Sequence, residues 1–296
     1  MYTSALRQLL FLLFTVLVCF VVCTIVCSVI GIFFFGTEIL SNPSIILSDT
    51  NYLRFYQLSQ SVSLFILPPI LYAKYYRLNI KQYYQIGKIP KVSLFALGFL
   101  LVMLVQPLVS YLGYLNQLIP FPEYLADVEK WLRIQEDQAN DLTQLILSND
   151  SRISFIFNIL VVAVVPAVGE ELLFRGGIQP LFARIFKNKH IGVWLSAFLF
   201  SAIHMQFFGF FPRLILGALF GYMVMYGKSL WLPIFCHFVN NFLALLMFAL
   251  YQNKFLDEDP LSAATESVNY VWLGVSLVGF VIAIRMIKNI EKVRES

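Results

Sequence analysis

Residues 155–175 read FIFNILVVAVVPAVGEELLFR: no charge from Phe155 to Gly169, then Glu170, Glu171 and, four positions later, Arg175. Such a run is long and apolar enough to read as a membrane helix. Ionisable groups near the centre of such a helix cost about 2.5–3.5 kcal/mol each on insertion scales. If all three were deep, the cost would be on the order of 8–10 kcal/mol, against roughly 5–9 kcal/mol recovered from the apolar neighbours. The helix is marginal alone, so its charges require protein partners or water. An ionisable residue in that position is by default a functional group.

The rest of the chain has the same character. Of 296 residues, 59% are hydrophobic and 13% are charged; a soluble domain carries about 25% charged residues. That excludes a soluble globular enzyme, a disordered chain and a free nucleic-acid binder, despite a formal net charge of +4. Eight apolar stretches stand out, at roughly 8–36, 56–73, 92–115, 153–173, 191–210, 214–227, 229–251 and 269–286. They predict an all-α, polytopic membrane protein with about eight transmembrane helices, forming a single integral membrane domain over 1–296. The first stretch is too long for a signal-peptide core and lacks a small-residue cleavage site, so it reads as a retained helix. Pro68-Pro69 should kink the second. The one long polar insertion is 119–152. Its Leu125, Val128, Trp131 and Leu132 recur at helical spacing, which predicts an amphipathic extracytoplasmic helix lying along the membrane surface. Cys19, Cys23 and Cys27 share one helical stripe and read as packing residues; no disulfide framework is visible.

Eight crossings put both termini on one side, and the basic residues choose that side. Fourteen of the 21 lysines and arginines fall with the termini and the loops after the second, fourth and sixth stretches. Six fall opposite, with Arg175 set aside. The positive-inside rule makes the first group cytoplasmic. Thirteen of the 17 acidic residues lie on the opposite side, Glu291 and Glu295 lie on the cytoplasmic side, and Glu170 and Glu171 belong to neither.

Within the apolar stretches, spacing sorts the polar residues. Arg175 lies four residues from Glu171 and can pair with it on one helical face. Glu170 lies about 100° around the helix and is free to face elsewhere as a base. His190 sits beside Lys187 and Lys189 at a membrane edge, whereas His204 and His237 fall inside the fifth and seventh stretches. His204 shares a face with Phe200, and His237 with Asn241. Gly217 and Gly221 form a G-x-x-x-G pattern for close helix approach. Gly176-Gly177 followed by Pro180 predicts a bend or break, with residues 181–186 along the inner membrane surface. The depths of Glu170, His204 and His237 do not align on straight helices with these ends. The expectation is a cavity in the inner half, open to the cytoplasm.

Glu170-Glu171-Leu172-Leu173-Phe174-Arg175 is an EExxxR motif, Phe200 to His204 is FxxxH, and His237 to Asn241 is HxxxN. In that order on successive apolar stretches they resemble the signature of the CPBP family, the type II CAAX prenyl proteases and their bacterial relatives associated with bacteriocin processing and self-immunity. The resemblance implies an intramembrane endopeptidase with its catalytic core at about 153–250, in spans 4–7. Glu170 and His204 would activate a water, His237 and Asn241 would donate to the tetrahedral oxyanion, and Glu171, Arg175 and Phe200 would support them. It further implies a membrane-associated peptide or protein substrate, lipidated in the CAAX case, and a location in a bilayer, the bacterial inner membrane, with both termini cytoplasmic. The family is also described as metallo-type, and Glu170, His204 and His237 are the residues that would hold Zn²⁺. The usual HExxH pair is absent, so no cofactor is favoured, and the glutamate-type and metallo-type readings both remain open. Two alternatives come from other classes. A proton-coupled transporter would use the buried Glu and His as a relay, but the polar cluster is confined to one half, without paired broken helices. A non-catalytic scaffold or immunity protein would not require Glu170, His204, His237 and Asn241 all intact.

Overall fold

Prolines shape this helical chain. Among the residues described by the computed structural model (4–37, 42, 49–148, 151–257 and 270–295), all regular structure is helical. Residues 149–150 of the polar insertion and residue 269 at the start of the eighth apolar stretch lie outside that set. Helix α1 spans Ala5–Phe35 and starts at Ser4, whose hydroxyl accepts from the Arg7 amide. Helix α2 covers 50–75 as Thr50–Ser61, a π segment Val62–Ile66 and Leu67–Tyr75. It is followed by α3 (Val92–Gln117), α4 (Ala126–Leu147), α5 (Arg152–Ile185), α6 (Lys189–Ala202), α7 (Phe210–Gly227), α8 (Trp231–Gln252) and α9 (Tyr270–Glu295).

Five described helices are long and apolar enough to cross a membrane: α1, α3, α5, Phe207–Gly227 (which contains α7) and α8. The other three predicted crossings coincide with α2, the 14-residue α6 and α9. The outward face of α1 supports a lipid surround, since Phe14, Leu17 and Phe33 are exposed along it. In water that face would be an apolar patch of the kind soluble monomers avoid.

Helix α5 contains two π segments, Ile159–Val164 and Glu171–Ile178. Each of the three π segments in α2 and α5 is followed by an α segment with proline in its first two positions: Pro68, Pro166 and Pro180. A proline lacks the N–H and its ring crowds the carbonyl one turn back; a wider turn relieves both problems without ending the helix. The predicted break at Gly176-Gly177 is therefore corrected, because α5 runs through both glycines to Ile185. A Cβ on Gly176 would meet the Tyr84 ring at 2.4 Å, so this glycine serves close packing. Leu181, expected at the membrane surface, is fully buried in a cluster with Leu9, Leu12 and Phe174.

The fifth predicted stretch is also corrected. Helix α6 ends at Ala202, and His204 lies in the turn beyond it rather than inside a span. Met205 takes a left-handed φ of 54°, and a 3₁₀ turn at Phe207–Gly209 leads into α7. The Ser201 hydroxyl donates to the Phe210 carbonyl at 2.6 Å and ties the two sides of the reversal together.

The central core joins α3, α7 and α8 through Val102, Val105, Leu219, Phe220, Met223 and Cys236. Pro107 stands inside α3, and the neighbouring Leu108 amide donates to the Ser276 hydroxyl of α9 at 3.2 Å. Helix α6 lies tightly on α5: a Cβ on Gly192 would sit 2.8 Å from the Gln179 carbonyl oxygen and 2.9 Å from the Ala183 nitrogen. Backbone atoms cannot swing aside, so Gly192→Ala should cost about 1–3 kcal/mol and lower the denaturation midpoint in detergent. Gly274→Ala, with nothing within 4 Å of the added carbon on helix α9, should not lower it and gains up to about 1 kcal/mol from helix propensity.

Candidate active site

The π segment at Glu171–Ile178 carries the first part of the site. Glu171 has no exposed surface, and its Oε1 pairs with Arg175 Nη1 at 2.9 Å. The same oxygen lies 2.9 Å from His237 Nδ1 on α8. A carboxylate paired with a guanidinium accepts, so Nδ1–H of His237 donates and Nε2 is left facing away. Arg175 Nη2 donates to the Gly217 carbonyl on α7 at 3.0 Å, and the guanidinium lies 4.5 Å from the Phe200 ring centroid on α6. A single carboxylate thereby draws α5, α6, α7 and α8 together.

His237 is clamped by aromatic rings as well. It stacks on Phe220 at 5.4 Å and meets the edge of Phe200 at 5.9 Å. Its Nε2 lies 3.7 Å from Glu170 Oε2, so the ring stands between the two glutamates. Glu170 is 7% exposed and His237 is 5% exposed. His204 is less enclosed. Its Nδ1 donates to the Phe200 carbonyl at 2.7 Å and its ring meets that of Phe200 at 5.1 Å, which fixes the imidazole and leaves Nε2 as the available nitrogen. Asn241, one turn beyond His237, donates to the Val162 carbonyl in the first π segment of α5 at 3.2 Å. Asn240 donates to Asn241 Oδ1 at 3.4 Å and accepts from Gln106 of α3 at 3.1 Å.

Of the seven residues singled out by sequence, Glu170, Glu171, Arg175, Phe200, His204 and His237 form a contact chain, whereas Asn241, one turn beyond His237, bonds to Val162 and Asn240 instead. Sequence reasoning did not find Phe220, Arg213, Gln206 or Glu136. Arg213 donates to the Gln206 side chain at 3.2 Å and to the Gln206 carbonyl. Glu136 of α4 accepts from the Phe208 amide at 3.3 Å, and Arg133 lies over the Phe208 ring at 4.7 Å. The amphipathic helix therefore docks on the turn that carries His204. Burial pushes the Glu136 carboxyl up, while the Phe208 amide and Arg213 pull it back. Arg213 read only as a loop cation and Glu136 as one acid among many, so neither spacing nor composition set them apart.

Zinc was the cofactor left open. Among the described residues, no group of three or more His, Cys, Asp or Glu side chains converges as a set of metal ligands. Glu170 and His237 approach each other, and His237 and His204 each hold Nδ1 on an acceptor (Glu171 and a carbonyl) and keep Nε2 open, the orientation a metal-ligating histidine takes. The donor types of Glu170, His204 and His237 therefore suit Zn²⁺, although no three such side chains converge among the described residues.

The family model for type II CAAX prenyl endopeptidase Rce1-like proteins matches residues 152–243. That segment holds all three motifs, and the match bears out the resemblance to the CPBP and CAAX protease family. With several helices fit to cross a bilayer, the chain is an integral membrane protein, and its residues 152–243 are similar to that family's model. Comparison with curated proteins and with solved structures gave no match.

Removing one partner of a buried ion pair leaves an uncompensated charge and costs about 3–5 kcal/mol. Arg175→Met should therefore destabilise the protein by about that amount in detergent denaturation. The double variant Glu171→Leu/Arg175→Met should lose less than the sum of the two single changes.

Proposed function

We propose that this protein is an intramembrane endopeptidase of the glutamate type, hydrolysing a peptide bond in a membrane-associated peptide or protein. The observation that carries the reading is the approach of Glu170 Oε2 to His237 Nε2 at 3.7 Å, in a buried cluster within the family-matched segment. Glu171 takes Arg175, which leaves the Glu170 carboxylate beside an imidazole and fit to accept a proton from water. His204, held through Nδ1, offers Nε2 as the second group on that water. Attack on the carbonyl forms the C–O bond, and the carbonyl electrons move to oxygen. When His237 carries both ring protons, Nε2–H donates to that oxyanion while Nδ1–H stays on Glu171; the Asn241 amide is the second donor. The intermediate then collapses: the oxyanion electrons re-form the carbonyl, the C–N bond breaks, and the leaving nitrogen takes the proton held by Glu170, giving a carboxyl and an amine end.

In this reading the chain crosses the bilayer eight times with both termini cytoplasmic, and the core occupies spans 4–7. The substrate is a membrane peptide, prenylated at its C-terminus if the CAAX likeness extends to specificity. No metal is required.

The test uses the full chain in membranes, with candidate peptides offered with and without a C-terminal prenyl group. Glu170→Gln should reduce cleavage by about 10²–10⁴-fold and Asn241→Ala by about 10²–10³-fold, with both variants retaining the wild-type elution profile. Cleavage by folded Glu170→Gln at the wild-type rate would sink the assignment. Activity should survive chelation; stoichiometric zinc lost together with activity would make the protein metallo-type.

A further inference from the structure

The reversal that carries His204 from α6 into α7 is fastened at its far end to two other helices. The Phe208 amide donates to Glu136 of α4 at 3.3 Å, and the Phe211 amide donates to Asn116 of α3 at 3.1 Å. Its near end, beside His204, is harder to hold. Met205 takes a left-handed φ of 54°, a region that disfavours a side chain. Gln206 follows in an extended conformation, with φ −109° and ψ 97°. The chain thus leaves helical geometry directly after His204. The place of the imidazole depends on what holds these residues as well as on its own bond to the Phe200 carbonyl.

One side chain spans this stretch. Arg213, in the first turn of α7, donates through Nη1 to Gln206 Oε1 at 3.2 Å and through Nη2 to the Gln206 carbonyl. Two donors on one planar guanidinium fix the side chain and the main chain of Gln206 together. A lysine ammonium is a point charge on a flexible stem and cannot reproduce that fork. The guanidinium also lies against Gly209, where a Cβ would fall 2.6 Å from Nη1 and 2.8 Å from Cζ. The missing side chain at 209 is what lets Arg213 reach back across the turn. The same guanidinium is close enough to the proposed site for its charge to act on both Glu170 and His204.

We propose that Arg213 is a positioning residue for the reaction at Glu170 and His204: by clamping Gln206, it holds the His204 imidazole where Nε2 meets the water. Arg213 touches no reacting atom and acts through Gln206. This role rests on the endopeptidase reading for its kinetic effect, whereas its effect on the His204 ring does not. A side chain that only stabilised the bundle would act on all of it alike. A clamp on Gln206 acts on His204 first, and that difference can be measured.

Two variants disturb the clamp from opposite sides. Arg213→Lys keeps the charge and loses the fork, whereas Gly209→Ala keeps Arg213 and places a methyl where the guanidinium lies. The full chain in detergent is prepared with nitrogen-15-labelled histidine; its three histidines give three imidazole environments, assigned by single His→Gln changes. Both variants should shift the His204 ring signals and leave those of His190 and His237 in place. With a cleavable peptide, both should lower kcat by about 10- to 100-fold at a KM within about twofold of wild type, since a misplacement on the order of 1 Å costs up to about 10²-fold. In a His204→Ala background neither should lower the residual rate by more than about twofold. Where that background cleaves too slowly to follow, the ring signals decide. Unmoved His204 signals in both variants, three sets of signals moving alike, an unchanged kcat, or an equal loss without His204 would each overturn the proposal. Wild-type cleavage by folded Glu170→Gln would instead overturn the endopeptidase reading, and the ring signals would still test the clamp.

Discussion

Glu171 is a carboxylate with no exposed surface in a chain built for a bilayer, and much of the bundle is arranged around that charge. A buried anion must be paired and hydrogen-bonded or it becomes too costly to keep. Arg175 supplies the pairing from the next helical turn and His237 supplies a donor from α8. Arg175 then needs acceptors of its own and finds the Gly217 carbonyl. Four residues further along α5, Gln179 repeats the contact on Gly221. The two rungs have the same spacing on both helices, which fixes the register of α5 against α7. Glycine is needed on α7 because a Cβ at Gly221 would fall 2.8 Å from Gln179 Oε1.

That arrangement separates the roles of two adjacent glutamates. Because Arg175 and His237 Nδ1 are drawn to Glu171, Glu170 meets only the far side of the same imidazole, at a distance longer than a hydrogen bond. Glu171 is bound into the scaffold, whereas Glu170 faces His237 Nε2 at 3.7 Å. Phe200 contributes at three points: its ring carries Arg175 on one side, touches His237 on another, and its carbonyl orients His204. A spacing of four in FxxxH is thus a backbone contact across one helical turn as well as a shared face.

Local spacing made the core of the site legible. The Glu171–Arg175 pair, the approach at Gly217 and Gly221, and the helical pattern around Trp131 each depend on residues three or four apart. Three features were hidden for physical reasons. Residues 191–210 are apolar throughout, so composition could not show that α6 stops at Ala202 and that Met205 turns the chain. Gly176-Gly177 carries the signal of a break, but the two glycines lie against the Tyr84 ring and the Leu12 side chain, both distant in sequence. The contact of Asn241 with Val162 and that of Glu136 with Phe208 span 79 and 72 residues and leave no periodicity. The depth mismatch among the candidate residues came from ending the fourth span at 173. With α5 continuing to Ile185, Glu170 stands about 22 Å from that end, near the middle of the helix.

Arg175 belongs to two polar regions of the molecule, since its charge faces Glu171 while it also lines a cavity of about 430 Å³ together with Arg184, Lys189 and Lys228. Shared residues invite an allosteric reading, but coupling requires an element with two arrangements that both sites bias. The segment between the regions is held by two in-register rungs to α7 and by the close contact of Gly192 with the Gln179 carbonyl. Such a segment has one packing, and sliding it would strip acceptors from Arg175 and Gln179 together.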